Sequence, residues 1–161
     1  MAQRMSRGFT LIELLIVVVV MGVLLAIGIP SFTDFIRTQR VKTASFELFA
    51  SLVFARSEAI TRNTAVTVSP SGGNWANGWS VTYVDAASVT QTSRTREALP
   101  SITITRKDAD PTANIVYRGS GRLSNATAPK FELAPTSSTA SKRCITIDTS
   151  GRPTTKADAC S

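Results

Sequence analysis

The chain has 161 residues, a length that suits one domain, and a formal net charge of +7 from 18 basic and 11 acidic side chains. Histidine is absent, which removes the commonest general base and metal ligand, and two cysteines alone cannot complete a zinc site. The composition therefore speaks against an enzyme, a metal centre or a bound cofactor, and no serine or threonine has a base partner of a recognisable nucleophile motif.

Apart from Thr10 and Glu13, everything from residue 9 to residue 29 is apolar or glycine. At about 1.5 Å per residue this run of 21 makes a helix about 31 Å long, the thickness of a bilayer core. Arg4 and Arg7 precede it and no acidic residue does, so the short N-terminal end is expected to stay cytoplasmic. The run is longer than an ordinary signal peptide and ends at Ile29-Pro30 rather than at small residues. Glu13 needs explaining, because a carboxylate within a span costs roughly 2.5–3.5 kcal/mol on insertion scales and marks function by default.

After Pro30, which should kink the helix, the apolar period resumes. Phe32, Phe35, Ile36, Val41, Ala44, Leu48, Leu52, Ala55 and Ala59 recur three or four apart, and Phe49, Val53 and Ile60 widen the stripe. This predicts one helix of about 50 residues in all, ending near Arg62 with Asn63 as its C-terminal cap. From residue 65 the period changes to two. A strand is expected at 65–69, a break at 70–74, and a hairpin at Asn77-Gly78 leading into a strand at 79–84. A polar loop should follow over 85–97, then short strands at 102–105, 115–118, 131–133 and 144–148. The predicted class is α+β: a long N-terminal helix, half membrane-spanning and half amphipathic, packed on an antiparallel sheet, with Trp75 and Trp79 in the core between them.

Cys144 and Cys160 lie behind an N-in membrane helix, so they face an oxidising compartment and are expected to pair. Closing that loop would contribute roughly 3 kcal/mol in the chain-entropy model. Residues 118–161 hold seven basic side chains (Arg118, Arg122, Lys130, Lys142, Arg143, Arg152, Lys156) against three acidic ones (Glu132, Asp148, Asp158). Basic character concentrated there favours an anionic partner.

The stretch Gly8-Phe9-Thr10-Leu11-Ile12-Glu13-Leu14, with basic residues before it and an apolar run after it, resembles the class III leader of type IV pilins and type II secretion pseudopilins. The resemblance implies a leader at 1–8 cut by a prepilin peptidase after Gly8, followed by N-methylation of Phe9. It also implies that Glu13 neutralises the amine of Phe9 on a neighbouring subunit in a filament. Residues 9–30 would be the transmembrane and assembly half of the helix, 31–62 the amphipathic half and 63–161 a periplasmic head. Arg56-Ser57-Glu58-Ala59-Ile60-Thr61-Arg62-Asn63 at the helix end, and in the head Trp75 with Gly78-Trp79, Gly121-Arg122-Leu123 and Cys144…Gly151-Arg152…Cys160, are similar to the GspH/FimT branch of minor pilins and pseudopilins.

A minor type IV pilin that helps prime assembly near the tip is the function this implies. Its partners would be other pilins, the prepilin peptidase, the inner-membrane assembly platform and, before assembly, the inner membrane itself. One alternative is a pilin that binds DNA for uptake through Arg152, Lys156, Arg143, Lys142, Arg122 and Arg118. DNA-binding members carry Gly-Arg-x-Arg; here the stretch reads Gly151-Arg152-Pro153-Thr154, without the second arginine. Lys156 supplies charge but not the guanidinium fork. The other alternative is the type II secretion pseudopilin H, against which the basic head argues.

Overall fold

The structure is a computed structural model that describes residues 9–108, 110, 113–125, 127–137 and 141–161; the side chains of 28–31 are not among those described. Gly8 and the rest of the leader therefore lie outside it. Two compact units, Met1–Ile36 and Arg37–Ser161, make up the chain. One helix, α1 (Leu11–Arg62), contributes to both. In the first unit residues 9–27 are exposed throughout, and the helix is long and apolar enough to cross a membrane.

In the second unit α1 buries Val41, Ala44, Leu48, Leu52, Ala55 and Ala59, each no more than 1% exposed. Spacings of three and four put these side chains on one face. The helix stops where Asn63 turns left-handed: Thr64 N–H donates to the Ala59 carbonyl and Asn63 N–H to the Ile60 carbonyl, both at 3.3 Å. This is the bond pair of a Schellman motif, so Asn63 caps the helix as its sequence position suggested.

Among the described residues eight strands follow: β1 (Val66–Ser71), β2 (Asn74–Val84), β3 (Thr90–Arg96), β4 (Ile102–Arg106), β5 (Ile115–Tyr117), β6 (Lys130–Pro135), β7 (Arg143–Ile147) and β8 (Pro153–Lys156). They form two antiparallel sheets, ordered β3-β2-β1-β5 and β4-β6-β7-β8, where the sequence suggested one. Periodicity reports which face of a strand is buried but not which strand lies beside it, so the division was not visible. Both sheets share one core with α1, and Trp75 of β2 meets Phe131 of β6 edge-on at 4.8 Å between ring centroids. Trp75 and Trp79 are both buried there.

Three local expectations change. The β1–β2 turn falls at Gly72-Gly73 rather than at Asn77-Gly78, because both glycines take positive φ (58° and 74°), the combination a type I′ hairpin requires. Asn77 and Gly78 lie inside β2. The expected loop at 85–97 contains β3, a largely exposed edge strand of Thr, Gln, Ser and Arg whose lack of apolar alternation hid it. Its hairpin is set by Asp85, whose Oδ1 accepts from the N–H groups of Ala87 and Val89, each at 2.9 Å. Strand β8 went unpredicted for the same reason as β3.

Candidate functional site

The start of α1 is closed by a reciprocal pair. Glu13 Oε2 accepts from the Thr10 N–H at 2.9 Å and from the Thr10 hydroxyl at 2.8 Å, while Glu13 N–H donates to Thr10 Oγ1 at 3.3 Å. This is a capping box, with Thr10 at the N-cap and Glu13 three residues on. The Thr-x-x-Glu spacing could have revealed it, yet the sequence reading gave Thr10 no part. Within a single chain, then, Glu13 already has hydrogen-bond partners that lower the cost of a carboxylate in an apolar stretch.

The exposed side of α1 carries an apolar stripe among polar side chains such as Lys42, Thr43 and Ser57. Phe46, Val53 and Ile60, spaced seven apart on that face, are 69%, 44% and 51% exposed. Phe32 and Phe35 stack on one another in the first unit and are exposed as well. On one flank of this stripe the Arg94 guanidinium lies 4.7 Å from the Phe54 ring centroid and Arg96 pairs with Glu47 at 2.8 Å, tying β3 to the helix. A single subunit buries the core face of the helix and leaves this second stripe uncovered.

The six basic residues expected as DNA contacts divide into two groups. Arg118, Arg122 and Arg152 are exposed at two turns with the same bond pattern. In one, Gly121 N–H donates to the Arg118 carbonyl at 2.7 Å and Arg118 N–H to the Arg122 carbonyl at 2.9 Å. In the other, Gly151 N–H donates to the Asp148 carbonyl at 2.9 Å and Asp148 N–H to the Arg152 carbonyl at 3.1 Å. Each turn reads Ser-Gly-Arg, at 120–122 and 150–152, a short repeat the sequence shows on inspection. The two turns touch, since the Gly121 carbonyl packs on Gly151, and Arg56 of α1 donates to that same carbonyl at 3.1 Å. Asp148 sits below its ordinary pKa, held first by the Ser150 hydroxyl and then by the Arg152 N–H. Beneath both turns, burial pushes the Tyr117 phenol up in pKa.

Lys142, Arg143 and Lys156 belong to the opposite end of the β7–β8 pair. Lys156 is opposite Cys144, whereas Arg152 directly precedes Pro153, opposite Ile147. At about 3.3 Å per residue, the length of β8 puts about 13 Å between the Arg152 and Lys156 backbones. Lys142 is engaged with Glu132 at 3.3 Å. The structure thus brings Arg118, Arg122 and Arg152 towards one another and sets the other three apart.

The C-terminus is fastened beside Lys142. Cys144 and Cys160 are joined by a disulfide with their Cα atoms 5.0 Å apart. Cys160 N–H donates to Glu132 Oε2 at 3.2 Å, and Lys130 Nζ donates to the Ser161 carbonyl at 2.6 Å.

Comparison with known proteins follows the same division of the chain. The family described as type II transport protein GspH matches residues 44–151, and the prokaryotic N-terminal methylation motif matches residues 3–29. The type IV major alpha-pilin of Moraxella bovis is 46% identical over 45 residues, which are 28% of this chain and 28% of that pilin's own length. Among solved structures, the type IV minor pilin FimU of Pseudomonas aeruginosa superposes with a TM-score of 0.65 at 22% identity, covering 76% of this chain and 92% of FimU. The minor pseudopilin EpsH of Vibrio cholerae gives 0.60 at 13% identity, over 73% and 97%. These two likenesses are of fold. With the family match spanning most of the head and the methylation motif covering the N-terminal segment, the chain belongs to the GspH/FimT family of type IV minor pilins and pseudopilins.

Proposed function

We propose that the protein is a minor pilin that enters a filament with other pilins near its tip and helps prime assembly. In this reading a prepilin peptidase cleaves after Gly8, Phe9 is N-methylated, and α1 holds the subunit in the bacterial inner membrane with its head in the periplasm. The assembly platform then moves it into the filament. The exposed apolar face of α1 carries the proposal. Val53 and Ile60 would be an aggregation liability on a free protein, but form a packing surface against neighbouring helices in a bundle. Glu13 would exchange its bonds to Thr10 for the Phe9 amine of the next subunit, a charge pair in a dry surrounding. The test is Val53→Glu, which faces away from the head's core. It should leave the fold intact and keep the subunit out of filaments; filament entry at the wild-type level would refute the proposal.

DNA binding is a second reading, favoured by the contact between the two Ser-Gly-Arg turns. That contact holds Arg122 and Arg152, with Arg118, on one rigid base, so little ordering cost would attend phosphate binding. Gel shifts with the full chain across a salt series are the check. Affinity must fall steeply with salt and weaken in Arg122→Ala and Arg152→Ala. A lack of binding at low salt ends this reading. A place in a type II secretion pseudopilus would leave the subunit's packing role unchanged and alter only its neighbours.

A further inference from the structure

Strand β8 closes one edge of the second sheet, and among the described residues no strand pairs with its outer side. Asp148 N–H bonds the Arg152 carbonyl, so the alternation of an antiparallel ladder places bonded pairs at Thr146–Thr154 and Cys144–Lys156. The N–H and C=O of Thr155 consequently point away from β7, ready for another strand. The Thr155 side chain turns the other way, towards α1, its hydroxyl 3.3 Å from that of Ser45. Between this edge and the helix lies an open cavity of about 790 Å³, walled by Phe46 and Phe49 and carrying Lys42 and Arg143.

We propose that this edge is a docking site for an extended segment of a different protein, acidic in charge and carrying an apolar anchor side chain. The segment would add a strand to β8 through Thr155, set its anchor against Phe46 and Phe49, and place carboxylates beside Lys42 and Arg143. Charge excludes a second copy of this chain as the occupant. Its four edge strands, β3, β4, β5 and β8, contain no aspartate or glutamate, and β3 brings Arg94 and Arg96. None of these edges could set a carboxylate beside Lys42 and Arg143, so the partner has to supply the acid.

The inference rests on the filament reading only for the setting in which such a partner is met. The test uses the full chain in detergent micelles and two short synthetic peptides, one repeating Val-Thr-Glu-Thr, so that valine and glutamate share one face of the added strand, and its lysine counterpart, with hydrogen exchange as readout. The acidic peptide should slow exchange at residues 153–156 and bind more tightly than the lysine peptide. Lys42→Glu combined with Arg143→Glu should weaken it about tenfold or more. Thr155→Pro, which removes only the outward N–H, should weaken binding with little change in melting temperature. If that variant loses stability, the charge reversal carries the test. Glu13→Val should bind the peptide as the wild type does, so failure at this edge and failure of assembly read out separately. Equal binding of the two peptides would overturn the proposal. So would protection of 153–156 by phosphatidylglycerol vesicles, or by concentrated protein alone, with none from the acidic peptide.

Discussion

Gly151 packs on the backbone of Gly121 so closely that a Cβ at Gly151 would lie 2.1 Å from the Gly121 carbonyl oxygen. Two turns far apart in sequence are joined there, and Arg56 anchors the same oxygen to α1. The geometry of the basic turns therefore depends on two glycines rather than on the arginines they present.

Replacing Gly151 by alanine should destabilise the head by about 2 kcal/mol or more, since the site combines a φ of 83° with a backbone clash. Urea unfolding measures it, and the sign is diagnostic. A glycine-to-alanine change at an unstrained site stabilises a protein by about 0.4–1 kcal/mol. Arg152→Ala, at an exposed position of the same turn, should change stability by no more than about 0.5 kcal/mol.

Arg106 is a buried cation, its side chain 3% exposed, paired with Asp108 at 9% and donating from Nη1 to the Ala113 carbonyl at 2.6 Å. Removing the acid leaves the guanidinium uncompensated, so Asp108→Ala should cost about 3–5 kcal/mol. Exchanging both residues for apolar ones of similar volume should cost far less. Thermal unfolding of the single and double variants separates these outcomes.

Glu132, 11% exposed, joins Lys142, Lys107 and the Cys160 N–H at the C-terminal fastening. Burial works to raise its pKa, but the hydrogen bonds from Lys142 and Cys160, with Lys107 nearby, hold it below the ordinary glutamate value. A carboxyl lowered in the folded state contributes stability that is present above its unfolded pKa, about 4.3, and lost as pH falls through the folded value. The stability difference between the wild type and Glu132→Gln should therefore be full at neutral pH and shrink below about pH 4. A difference independent of pH would contradict this.

Legibility followed burial. The stripe from Val41 to Ala59, the apolar cores of β1, β2 and β4 to β7, and the cap at Asn63 were readable because apolar spacing and turn chemistry are local signals. Strands β3 and β8 are exposed and polar on an edge, held by their neighbours' backbones, and leave no periodic trace. Tertiary pairing decided the rest. Arg152 and Lys156 look adjacent in sequence but are drawn apart by the length of β8, while Gly121 and Gly151, thirty positions apart by their numbers, touch. The Thr10–Glu13 box is legible only as a Thr-x-x-Glu spacing, because a carboxylate in an apolar run invites a distant partner before a near one.

The central claim is that α1 leaves the membrane for a filament, with Glu13 changing partners on the way. The most direct measurement is the distribution of the wild type and Glu13→Val between the membrane and sheared-filament fractions of cells that express the pilus machinery. Cleaved wild-type subunit should appear in the filament fraction, and Glu13→Val should be cleaved equally well but retained in the membrane. Glu13→Val in filaments at the wild-type level, or wild type absent from them, would contradict it.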